Sequence, residues 1–207
     1  MISTAAIGRR LRWLRLRGKY FTPQVFRGLL FASTLALLAL APTGVRNAGA
    51  QSLTEEQLRA RFLVNFLRFT KWPDAAFASP GAPVGLCILG GGNHSMFVSA
   101  LAEFQGISVA GRKLAIRDDV DERQLADCHL LYVLDDSLPR LASARAAAGK
   151  HPLLIVGESE AVLDRGGMIA LRDDNRHLAF VVRLEPAQRA GLRFESQMLN
   201  VAAEVLH

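Results

Sequence analysis

Val84-Gly85-Leu86-Cys87-Ile88-Leu89-Gly90-Gly91-Gly92 is an unbroken apolar run closed by three glycines, and it decides the fold. A run so short, with no polar alternation, predicts a strand covered on both faces. Asn93 to Leu101 then reads as a helix, so the glycines make a strand-to-helix turn. Leu130-Leu131-Tyr132-Val133-Leu134 and Pro152-Leu153-Leu154-Ile155-Val156 repeat the pattern downstream. Buried strands alternating with helical stretches predict a single α/β domain with a mostly parallel sheet flanked by helices.

Upstream of the run, Leu53 to Trp72 predicts an amphipathic helix. Thr54 and Gln57 have capping-box spacing, Glu55 and Glu56 suit the first turn, and Leu58, Phe62, Phe66 and Phe69 recur at helical intervals. Such a stripe is ordinarily core-facing; Trp72, just before Pro73, is the aromatic here with a chance of exposure. Downstream, Ile107 to Arg117 turns at Gly111, suggesting a hairpin or edge strand. Asp118 to Asp127 reads as a short helix and loop, and Ser137 to Ala148 as a helix stopped by Gly149. Met168–Arg172 and His177–Val182 flank Asp173-Asp174-Asn175-Arg176, a turn composition that predicts an antiparallel hairpin near the C-terminus. Pro186 to Leu206 reads as one or two helices.

Residues 1–50 have a different character. They carry eight basic side chains and no acidic one, then an apolar run of 13 residues, Leu29 to Ala41, then Ala48-Gly49-Ala50. A basic arm, a short apolar core and a small-x-small site predict a signal peptide cleaved near Ala50, with the domain at 51–207. The alternative is an uncleaved anchor, for which the apolar run is short. The full chain has 25 basic and 19 acidic residues; without the leader's eight, 17 stand against 19. The pI near 10.0 therefore belongs to the leader, and the domain offers no basic surface for nucleic acid.

An exported chain with two cysteines at neighbouring buried elements is the setting for a disulfide, Cys87 to Cys128. Closing a loop of about 42 residues stabilises by roughly 4 kcal/mol in the chain-entropy model; two separate buried thiols are the alternative. Two cysteines without a spaced histidine pair fall short of a zinc site, and no metal or cofactor is expected. Cys128 and His129 are adjacent and point to opposite faces of a strand, so they make no nucleophile–base pair. Asp135-Asp136 follows a strand, where α/β enzymes place acids, but capping the next helix explains it more simply. Gly90 to His94 lacks a Walker lysine or a full dinucleotide fingerprint. No catalytic residues are expected, and an exported hydrolase is the weakest reading.

Several stretches resemble the YfiR family of periplasmic proteins. Phe62-Leu63-Val64-Asn65-Phe66-Leu67-Arg68-Phe69-Thr70-Lys71-Trp72-Pro73 is similar to the family's opening helix. Leu86–Gly90, Cys128–Val133, Gly166–Ile169 and Ser196–Ala202 agree in order, so the likeness covers essentially all of 51–207. It implies a YfiR/HmsC-like regulator without enzymatic activity. Such a protein binds the periplasmic domain of an inner-membrane diguanylate cyclase (YfiN-like), represses it, and lowers cyclic-di-GMP and biofilm output. It also implies an outer-membrane lipoprotein that captures the repressor, and a capacity to form homodimers. Cys87 and Cys128 match a family cysteine pair; the second pair of some members is missing. Because exposed arginines and aromatics dominate interfaces, Arg68, Lys71 and Trp72 are the candidate partner-binding residues, with packing beneath the Asp74–Pro83 loop the competing role for Trp72. The alternative function is a periplasmic sensor holding a small ligand near Gly90–His94 and reporting to a membrane receptor.

Overall fold

The computed structural model describes residues 53–90, 94–174 and 177–207, all within one compact unit, Gln51–His207. Residues 1–52, 91–93 and 175–176 lie outside the described residues, and with them the expected signal peptide. In chain order the strands are β1 (Thr70–Lys71), β2 (Val84–Leu89), β3 (Ser108–Val109), β4 (Arg112–Val120), β5 (Leu130–Val133), β6 (Leu154–Gly157), β7 (Ile169–Asp174), β8 (His177–Arg183), β9 (Arg193–Phe194) and β10 (Glu204–Leu206). The helices are α1 (Glu55–Arg68), α2 (Ser95–Ala102), α3 (Leu141–Ala148), α4 (Ala161–Asp164), α5 (Leu184–Arg189) and α6 (Ser196–Leu199).

Eight strands form one sheet in the order β10-β8-β7-β6-β5-β2-β4-β3. Pairing is parallel except for β3 with β4 and β7 with β8. The chain leaves β2 for β4 on one side and returns to β5 on the other, so strand order reverses at β2. Every residue of β2, β5 and β6 is buried, because each face carries its own apolar layer. Leu86, Ile88, Leu130 and Tyr132 enter a core with α1 and α2; Cys87, Leu89, Leu131 and Val133 enter a second with α3. That double coverage is why the strands read as continuous apolar runs.

α1 begins with both halves of the capping box in place at Thr54 and Gln57. Its buried face is Ala60, Leu63, Val64, Phe66 and Leu67, wider than the four-residue stripe and centred beside it. The helix stops at Arg68, earlier than its apolar pattern suggests, because Thr70-Lys71 leaves to pair antiparallel with Phe194 and Arg193. The Ile107–Arg117 hairpin turns at Ala110 and Gly111, both with positive φ, the conformation a tight two-residue hairpin demands. β4 runs on through Asp118 to Val120, where a short helix was expected. One extra residue there opposes β2 between Cys87 and Leu89, and Asp119 adopts φ 49° to accommodate the bulge.

Ser137 to Ala148 is not one helix. Asp135–Arg140 is a tight 3-10 stretch containing Pro139, and the α-helix starts only at Leu141. Proline has no N–H to give to an α-helical bond, so the tighter turn precedes it. The C-terminal region has the two short helices expected, α5 of 6 and α6 of 4 residues, but β9 separates them and β10 pairs in parallel with β8 at the sheet edge.

Candidate functional site

Cys87 in mid-β2 and Cys128, at the end of a 3-10 turn spanning Glu122–Asp127, are joined by a disulfide with Cα atoms 5.8 Å apart. Both are 0% exposed and packed among Leu89, Leu125, Leu131 and Leu141. A reductant reaches this bridge only after the core opens, which makes it a staple. The backbones approach closely here: a side chain at Gly85 would run into the Asp127 carbonyl. The amide of His129 donates to that same glycine's carbonyl at 2.8 Å.

His129, 4% exposed, supplies the next tie. Gly85 N–H donates to its Nδ1 at 3.0 Å, and its Nε2–H donates to the Ala76 carbonyl, 3.1 Å away. One ring nitrogen accepting and the other donating fixes a neutral imidazole. Phe77 stacks on the ring with centroids 4.4 Å apart, and the Arg112 guanidinium lies 3.6 Å from the centroid of Phe77. Arg112 also donates to the carbonyls of Ser79, Pro80 and Ala82. The 74–83 loop is thus clamped onto the amino ends of β2 and β5. Burial, with the nearby charges of His151 and Arg112, pulls the His129 pKa below its usual value despite the Ala76 hydrogen bond.

A depressed histidine pKa means the unfolded chain takes up the proton first. The contribution to stability is complete above the unfolded pKa of about 6.5 and is lost as pH falls through it toward the folded value. The urea midpoint is therefore expected to drop more between pH 7.5 and 5 for the wild-type protein than for His129→Gln; equal slopes would exclude the histidine as the cause.

Arg68, Lys71 and Trp72 gather at the exit of α1 with unequal exposure. Arg68 and Lys71 face solvent. Arg68 donates to Asn65 at 3.2 Å and Lys71 lies 3.7 Å from Glu195. Trp72 is half-buried against the α1–α2 core, its indole 6.3 Å from His129 and its Nε1 buried with no hydrogen-bond partner among the described residues. Packing thus accounts for much of Trp72, and its remaining edge is what a partner could touch. The β1–β9 pairing brings the exposed Arg193 beside Lys71, a neighbour no spacing rule could find because the two lie 122 positions apart in the chain.

At the opposite, carboxyl ends of the parallel strands, the glycine turn meets the acids. Gly90 has φ 89°, and a Cβ on it would strike Ser137 Oγ. Asp135 and Asp136 do not cap the following helix as expected. Asp136 accepts from Ser137 Oγ at 3.0 Å and Asp135 from Ser159 Oγ at 2.7 Å, while no side chain among the described residues caps that helix. Arg59 bridges Glu158 at 2.5 Å and Glu55 at 2.6 Å. Although burial alone would lower it, its pKa is raised by Tyr132, Glu158 and Glu55. The Tyr132 hydroxyl is sealed beside it; burial pushes its pKa far up, and among the described residues neither it nor Arg59 Nε has a hydrogen-bond partner. An adjoining hollow of about 280 Å³ is lined by Glu55, Glu56, Arg59, His94 and Glu158 among others. Here His94 lies 4.0 Å from Asp136, and Ser137 donates to the same carboxylate. Among the described residues no group of three metal-ligating side chains converges.

The family model described as YfiR/HmsC-like matches residues 56–203. The chain belongs to the YfiR/HmsC-like family. YfiR-like proteins are periplasmic regulators, so membership supports a regulatory role outside the cytoplasm. No helix among the described residues is long and apolar enough to cross a membrane. No curated protein matches at a significant level. Among solved structures, a conserved domain protein from Vibrio cholerae is similar at TM-score 0.51 and 13% identity, over 74% of this chain and 61% of that one. The ABC domain in complex with L-Trp from Streptococcus pneumonia is similar at TM-score 0.47 and 12% identity, over 71% of this chain and 60% of that one. The first likeness concerns the fold alone. The chain spans about three-fifths of the length of the structures it matches.

Proposed function

We propose that this protein is a non-enzymatic periplasmic repressor that holds a membrane-bound diguanylate cyclase inactive through the cyclase's periplasmic domain. Family membership over residues 56–203 is the observation that carries the reading. The leader is removed near Ala50 on export, and an outer-membrane lipoprotein competes for the repressor. Repression requires tighter binding to the inactive form of the target than to the active one, since a ligand shifts an equilibrium only by its differential affinity. The basic surface of Arg68, Lys71 and Arg193, with the edge of Trp72, is the face offered to the partner.

Deleting the gene is expected to raise cellular cyclic-di-GMP and biofilm mass severalfold. Complementation with Arg68→Glu/Lys71→Glu, two exposed positions whose substitution leaves the core intact, restores protein level without restoring repression. Unchanged cyclic-di-GMP in the deletion strain counts against a cyclase target. Full repression by the charge-reversed variant removes this face from the interface.

A further inference from the structure

A second hollow, of about 210 Å³, opens at the amino ends of β6 and β7, away from the glycine turn. Its floor is the buried apolar set Leu153, Ile155 and Met168; its polar rim is Arg145 from α3, Arg189 from α5 and His151. None of the residues lining it is acidic. The carboxyl-end hollow has the opposite lining, three glutamates against Arg59 and His94.

The three rim groups are held in different ways. Arg145 lies over Gly166, where a Cβ would collide with its guanidinium. It donates to the Arg165 carbonyl at 3.2 Å and makes no ion pair among the described residues. A guanidinium whose one protein partner is a neutral carbonyl keeps most of its donors for another acceptor. Arg189 shares its charge with Glu185 at 2.8 Å on the exposed side. His151 Nε2–H donates to the Cys128 carbonyl at 2.7 Å, which ties the rim to the disulfide-bearing segment.

We propose that this hollow binds a small organic anion, a monocarboxylate with a compact apolar body. The apolar floor takes the body, and the guanidinium fork of Arg145 matches a carboxylate bidentately. Like-signed charges around a low-dielectric depression concentrate such anions from solution. The volume has room for roughly seven water-sized groups, which suits a compact ring or a short branched chain and excludes a nucleotide. The inference does not depend on the cyclase being the partner, because it rests on the lining of this hollow alone.

Thermal denaturation and isothermal titration calorimetry of the purified protein test it, with benzoate as probe. Benzamide serves as its neutral counterpart and inorganic phosphate as an anion without an apolar body. Benzoate at hundredfold saturation is expected to raise the melting temperature by roughly 5–10 °C, with little response to benzamide or phosphate. Arg145→Gln/Arg189→Gln alters two exposed side chains, so the fold persists. It should weaken benzoate binding by about tenfold or more, the loss of a charge-assisted contact, whereas Arg123→Gln, outside the hollow, leaves binding unchanged. No saturable benzoate response at millimolar concentration overturns the proposal. So does an equal response to phosphate, or a double variant that binds like the wild type.

Discussion

Replacing both Cys87 and Cys128 by alanine lowers stability by about 4 kcal/mol, the loop-closure entropy returned to the unfolded chain. In a protein of this size that corresponds to a fall in melting temperature of roughly 8–16 °C. The two half-cystines sit in the second core at 0% exposure, so alanine leaves at most a small void and no orphaned polar group. Urea denaturation of wild-type protein with and without reductant provides the comparison: the reduced wild type should unfold where the double variant does. A variant within about 1 kcal/mol of the oxidised protein would show that the bridge does not hold β2 to the turn before β5. In the cell the same substitution is expected to lower steady-state protein level, since modest stability losses feed directly into proteolysis.

Phe66→Ala is the second large effect. Phe66 is 1% exposed, and its ring centroid lies 5.9 Å from Phe62 and 5.0 Å from Phe180, both edge-on. Phe62 and Phe180 are themselves 5.7 Å apart, so the three rings form a closed triangle that pins α1 to β8. Truncating a buried phenylalanine leaves a cavity its neighbours fill incompletely, costing about 3–5 kcal/mol. Phe66→Leu, which keeps most of the volume, should lose only about 1–1.5 kcal/mol. Chemical denaturation separates the cases; a cost below about 1 kcal/mol for the alanine variant would mean that α1 is held chiefly by Leu63 and Leu67. The triangle bears on the proposed function as well, because α1 carries Arg68 and leads into Lys71 and Trp72, and a loosened helix would blur the face we propose for partner binding.

The elements legible in the sequence are those whose environment repeats along the chain. β2, β5 and β6 are unbroken apolar runs because both of their faces are covered, and the β7–β8 hairpin is announced by its turn residues. The elements that escaped are stabilised by something far away. β1, β9 and β10 are two or three residues long, too short to show a period, and exist because Thr70 meets Phe194 and Val205 meets Val182. Asp118 and Asp119 look like a loop because acidic residues are poor strand formers, yet the bulge against β2 accommodates them. The same distinction holds for the candidate sites. The cysteine pairing could be proposed from compartment and position. The clamp on His129 could not, since its partners are backbone atoms of Gly85 and Ala76, which carry no side-chain signature. Arg59 and Glu158, 99 positions apart, and Arg145 above Gly166 are likewise products of the tertiary arrangement.

Trp72 beside His129 has a practical consequence. Residues 51–207 contain a single tryptophan, with its indole 6.3 Å from the imidazole that ties down the 74–83 loop. Protonated imidazole quenches indole emission, so the fluorescence intensity of a chain of residues 51–207 is an intrinsic optical gauge of that clamp. Stopped-flow acidification would time its release without any label.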